Sequence, residues 1–215
     1  MVNTKRKEDS KGEMAVASFL DKNFYPNLIK IRDVVRVTSI DEQLDGIDVR
    51  FSNNGNKFLV DEKAALHYVD VNLPTFAFEL NYINSAGKLS NGWLFDEKKK
   101  TTHYLLVWIK TKDSTKNLAD ISELEVLLIS KEKVNEILIE NKLDREKIKE
   151  KSNTLREKNI GSTKSTSENM GEFKLFYSGH LSEKPINIVI NKKLLKTKSS
   201  IYGIVNSSGY INIHR

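Results

Sequence analysis

The dipeptide Asn54-Gly55, set between alternating apolar residues, constrains this chain more tightly than any other feature. Asn-Gly is the strongest short signal for a two-residue hairpin turn, because both residues accept the positive φ that such a turn needs. Ile47, Val49 and Phe51 alternate before it, and Phe58 and Val60 follow it at the two-residue period of a strand. With Asn54 and Gly55 as the loop, Asn53 pairs with Asn56, and continuing the register puts Asp48 opposite Asp61. Lys63 then shares their face, since side chains alternate sides along a strand. Like charges directly across a ladder destabilise it. Two arrangements answer that problem: a divalent cation with oxygen ligands, or an exposed hairpin whose charges face water.

Asp48, the hairpin and the triplet Asp61-Glu62-Lys63, led in by Phe58-Leu59-Val60, resemble the catalytic core of the PD-(D/E)XK nucleases, the restriction-endonuclease-like superfamily. The resemblance spans about residues 10–110. It implies an α/β fold in which a mixed sheet is flanked by helices. It also implies that Asp48 and Asp61 bind Mg²⁺, that Mn²⁺ substitutes, and that Lys63 acts near the attacking water. Many members carry a Glu on the first helix that supports a metal-bound water, a role that would fall to Glu13. Gln43 matches a Gln that some members carry ahead of the Gly-x-Asp turn; read by itself it is a loop residue with a satisfied amide. The chain departs from the pattern in two places. No Pro precedes Asp48, and Glu62 occupies a position that is usually apolar and would point to the opposite face.

The chemistry of those residue types stands beside the resemblance. Phosphodiester hydrolysis needs a nucleophile at neutral pH and relief of charge in the transition state. A carboxylate-held Mg²⁺ supplies both, and a lysine orients water or offsets developing negative charge. Glu13 has a second explanation. Ser10 and Glu13 have the spacing of a capping box opening a helix over residues 10–23. Asp45 beside Gly46 reads as turn chemistry.

At 215 residues the chain can bury one good core with a small appendage. It has no run of 18 apolar residues and no signal-peptide pattern, so a membrane span and export by that route are not expected. No cysteine is present, which excludes disulfides and thiolate metal sites and fits a reducing cytoplasm. A Lys-, Asn- and Ile-heavy composition suggests an A·T-rich genome, hence a bacterial cell or one infected by phage. The net charge of +6 favours a polyanionic partner, here DNA. The four histidines lack metal-ligand spacing, and no P-loop or dinucleotide fingerprint occurs.

Residues 1–130 read as the nuclease-like core, with extended structure over 28–38 and strands over 75–80, 102–110 and 123–130. Residues 131–215 either complete that domain or form a small recognition element. Within them, 131–158 reads as a charged helix pair with Val134, Ile137, Leu138, Ile148 and Leu155 turned inward. A loop over 159–171 precedes short strands at 173–177, 185–190, 201–205 and 210–213. Three basic clusters are candidates for phosphate contact: Lys98, Lys99 and Lys100; Lys192 and Lys193 with Lys196 and Lys198; and Lys5-Arg6-Lys7. The expectation is a Mg²⁺-dependent DNA endonuclease, with a homodimer suited to cutting both strands. Two other classes stay open: a nucleic-acid-binding module that keeps the fold without cleaving, and a protein-interaction protein that works through residues 131–158.

Overall fold

Turn chemistry sets the register of the first sheet. The computed structural model describes residues 2–213, with side chains from Asp9 onward. Asn54 (φ 49°) and Gly55 (φ 79°) both take the left-handed backbone of a two-residue hairpin loop. The ladder runs from Asn53↔Asn56 to Val49↔Val60, the register that the sequence predicts. In chain order the helices and strands are α1 (Val2–Asn23), β1 (Ile31–Arg36), α2 (Ile40–Leu44), β2 (Val49–Asn53), β3 (Asn56–Ala64), β4 (Thr75–Ile83), β5 (Leu89–Asn91), β6 (His103–Thr111) and β7 (Ile121–Ser130). They continue with α3 (Lys131–Glu140), α4 (Arg145–Glu157), β8 (Thr166–Met170), β9 (Phe173–Tyr177), β10 (Ile186–Asn191), α5 (Lys192–Lys198), β11 (Ile201–Asn206) and β12 (Gly209–Asn212). The fold is α/β with a mixed sheet, as expected.

Two compact units share the chain. The first holds residues up to Leu73, Lys100–Ser130, and the chain from Ser199 onward. Its seven strands lie in the order β1-β2-β3-β6-β7-β11-β12, antiparallel except for the parallel pair β3 and β6. On β6 every residue from Tyr104 to Ile109 is buried, the continuous apolar run of a strand covered on both faces. α1 supplies Val16 and Leu20 from one stripe of the helix, and Phe24 follows at the same four-residue spacing just past its end. They join Val49, Val60, Leu105, Val107 and Val126 in the core. Gly12 lets that helix sit close: a Cβ there would lie 2.8 Å from Leu118 and 3.1 Å from Leu66.

The second unit holds Pro74–Lys99 and Lys131–Lys198. Its five strands lie in the order β5-β4-β10-β9-β8, all antiparallel. Val134, Ile137 and Leu138 of α3 and Ile148 and Leu155 of α4 are buried, the five inward positions that the helical spacing predicts. Asn81 on β4 donates to Ser152 of α4 at 3.1 Å and accepts from Arg156, so a buried amide is satisfied across two elements.

Four features differ from the sequence expectation. α1 begins at Val2, so Ser10 is inside the helix and makes no capping box with Glu13. Residues 2–9 contain neither Gly nor Pro, and nothing in them stops the helix from extending toward the N-terminus. The expected loop over 159–171 contains β8, a polar edge strand held by backbone pairing to β9. Lys192–Lys198 forms α5. The two units also interleave in sequence, so that residues 131–198 and 199–215, read together above, fall in different units. Antiparallel pairing of β11 with β7 and of β10 with β4 joins segments too far apart for local pattern to connect.

His103 opens β6, stacked on Phe58 with ring centroids 4.2 Å apart. Burial pulls its imidazole down to about 4. An unfolded histidine protonates near pH 6.5, so between those values only the unfolded chain takes up the proton. Stability present above about pH 6.5 is therefore lost as the pH falls toward 4. Urea denaturation across this range should show a smaller acid loss for His103→Gln than for the wild type. An unchanged slope would contradict this assignment.

Candidate metal and catalytic site

Alternation along β3 separates two sets of groups. Asp61 and Lys63 project from one face, and Glu62 projects from the other with Val60, whose side chain belongs to the core under α1. Lys63 Nζ lies 2.7 Å from Asp61 Oδ1. Asp61 is only 4% exposed.

Asp48 reaches this face by a route that the hairpin register does not predict. β2 begins at Val49, and the Asp48 amide donates to the Val60 carbonyl at 2.8 Å although Val60 already pairs with Val49. Two residues thus face one, the arrangement of a β-bulge, which re-aims a side chain and recurs next to active sites. The bulge follows α2, whose end is turned by Gly46 at φ 77° and by the Ile47 amide donating to Glu42 O at 3.0 Å. Asp48 is therefore not the cross-strand partner of Asp61. Its Oδ2 instead accepts from the Glu62 amide at 2.7 Å, and its carboxyl is close enough to raise the Asp61 carboxyl.

The electrostatics follow from that crowding. Burial pushes Asp61 up to about 7 against the pull of Lys63, and Asp48 adds to the rise. Burial alone would pull the Lys63 ammonium down, but Asp61, Asp48 and Glu13 more than offset it and the net shift is upward. Glu13, on the solvent side of α1, is also shifted upward: partial desolvation raises it, Lys63 opposes, and Asp48 and Asp9 add to the rise. Lys63 is thus within reach of the charge of Asp61, Asp48 and Glu13.

This donor set fits a magnesium-like cation. Three carboxyls face one ammonium, and a buried carboxyl near pH 7 beside a second one is a pair that lacks positive charge. Among the described residues no group of three or more His, Asp or Glu side chains is arranged to hold a metal by itself. Mg²⁺ does not require such a cage, because it is commonly held by one or two carboxylates and keeps several waters.

The residues missed by sequence reasoning are the two partners of Glu62. Tyr25 Oη donates to Glu62 Oε1 at 2.6 Å, and Arg36 donates to both carboxylate oxygens, through Nη2 at 3.0 Å and through Nη1. Asp21 in turn accepts from Arg36 at 2.6 Å. The signal was an acid in a core-facing register, which requires a buried partner. Gln43 spends its amide on Val37 O at 3.3 Å, and Asp45 pairs with Lys100 at 2.8 Å.

The basic clusters do not behave as units. Lys192 is buried while Lys193 is exposed, so the pair offers one surface cation, a correction to the expected cluster. Lys198 pairs with Glu140 at 2.6 Å. Lys98 is exposed, whereas Lys99 lines a cleft of about 300 Å³ in the second unit with Glu79, Asp96 and Glu183. Trp93 lines the same cleft and packs on Phe78 at 5.1 Å. The side chains of Lys5, Arg6 and Lys7 lie outside the described residues.

Comparison with protein-family models, with curated proteins and with solved structures yields no match. The site therefore rests on its own geometry.

Mn²⁺ should raise the melting temperature of the wild type, and the rise should grow from pH 6 to pH 8 as Asp61 loses its proton around 7. At a hundredfold excess over Kd the added stability is about 2.7 kcal/mol. Asp48→Asn should abolish the rise. A pH-independent shift, or one retained in Asp48→Asn, would contradict a site at this pair.

Proposed function

We propose that this chain is a Mg²⁺-dependent endonuclease that hydrolyses phosphodiester bonds of DNA, on a restriction-endonuclease-like architecture. The observation that carries the proposal is the convergence of Asp48, Asp61, Lys63 and Glu13, with the buried Asp61 held near pH 7 beside a second carboxyl. Asp48 and Asp61 would hold the cation, which when bound lowers the pKa of water and offsets charge on the phosphoryl oxygens. Mn²⁺ is expected to substitute.

The chain's own groups account for the remainder. Lys63 is kept protonated by the carboxyls around it, so it donates hydrogen bonds to negative charge developing on the phosphate. Glu13, its carboxyl raised by partial desolvation, would support water near the cation. The net charge of +6 draws a polyanion toward the protein without selecting a sequence. A homodimer would bring two such sites to the two strands of a duplex.

Supercoiled plasmid, linear duplex, branched DNA and an RNA transcript, each incubated with Mg²⁺ or Mn²⁺, test the proposal with wild type beside Asp61→Asn. The expected result is metal-dependent DNA cleavage that falls by about 10²-fold or more in the variant. Cleavage fully retained in Asp61→Asn would overturn it. Salt-sensitive binding without scission would favour the non-cleaving module.

A further inference from the structure

Glu62 departs from what its position calls for, and the departure has a structural use. It stands between Asp61 and Lys63 but faces the other side of β3. Its carboxylate takes three hydrogen bonds, one from Tyr25 Oη and two from the Arg36 guanidinium. Tyr25 is buried, the Glu62 side chain is 10% exposed, and Arg36 is itself held by Asp21 at 2.6 Å. A paired guanidinium fork fixes geometry as well as charge. Glu62 is therefore pinned from the core side, and its backbone amide is the group that holds Asp48 at 2.7 Å.

The peptide joining Asp61 to Glu62 is planar. Fixing the Glu62 side chain from one face limits rotation of that plane, so the amide stays aimed at Asp48 Oδ2 on the other. Arg36 also cancels the charge of a carboxylate whose field reaches Asp48, which would otherwise add to the repulsion already present between Asp48 and Asp61.

We propose that Tyr25 and Arg36 act through Glu62 as a positioning clamp that holds the Asp48 carboxylate against the β3 backbone and so sets the separation of the Asp48–Asp61 pair. Glu62 is then a positioning residue and not a ligand. This inference rests on the metal-site reading of that pair.

Calorimetric titration with MnCl₂, without nucleic acid, tests it on the wild type, Tyr25→Phe, Arg36→Met, Val16→Ala and Asp48→Asn, with the melting temperature of each measured alongside. Tyr25→Phe keeps the ring and loses one hydrogen bond to Glu62, so it tests the clamp even where Arg36→Met does not fold. Val16→Ala loosens the same core without touching the clamp. The expected result is Mn²⁺ affinity lower by about tenfold or more in Tyr25→Phe and unchanged in Val16→Ala, although both melt at lower temperature. Wild-type affinity in Tyr25→Phe, with binding lost in Asp48→Asn, would overturn the clamp and leave the metal site standing. Equal losses in Tyr25→Phe and Val16→Ala would also overturn it, because general loosening would explain both. Unaltered binding in Asp48→Asn would overturn the metal-site reading itself.

Discussion

Two carboxyls close enough to act on one another's charge, one of them almost without solvent, are the constraint to which the first unit answers. Removing an ionised carboxylate from water is costly unless it is paired and hydrogen-bonded. Lys63 supplies the pairing for Asp61, and the Glu62 amide supplies a hydrogen bond to Asp48. Neither completes the neutralisation, since Asp61 titrates at about 7. A fold that keeps such a pair forgoes stability at the site, as proteins do where chemistry requires it.

The surroundings explain how the pair is held. The Asn54-Gly55 turn fixes which face of β3 carries Asp61 and Lys63, because a slip of one residue would exchange them with Glu62. Parallel pairing sets Asp61 beside Tyr104 on β6, the most deeply buried strand of the sheet. The bulge at Asp48 brings the second carboxyl in from the end of β2. On the reverse face, Tyr25, Arg36 and Asp21 hold Glu62 with charge-assisted hydrogen bonds. Both faces of one short strand segment are thus fixed by polar contacts, beside a core of aliphatic and aromatic side chains.

Local chemistry made part of this legible in the sequence. The turn dipeptide gave the hairpin register, the unbroken apolar run gave β6, and helical spacing gave the inward residues of α3 and α4. Grouping Asp48, Asp61, Lys63 and Glu13 required the resemblance as well as the register. What stayed hidden depended on distance along the chain. Arg36 and Tyr25 are 26 and 37 residues from Glu62, so nothing local announces their contact. The bulge at Asp48 arises from how α2 ends, a backbone event that the apolar alternation cannot signal. The interleaving of the two units follows from strand pairing at long range. Lys192 looks in sequence like its neighbour Lys193, yet helix geometry buries one and exposes the other.

The most direct measurement is a crystal structure of the protein grown with Mn²⁺, with anomalous scattering used to locate the ion. The prediction is one strong peak between Asp48 and Asp61, within about 2.0–2.2 Å of an oxygen of each, comparable to Mg²⁺ coordination, with Glu62 still bound by Tyr25 and Arg36. No peak there, at a pH where both carboxyls could ionise, would contradict a cation site at this pair.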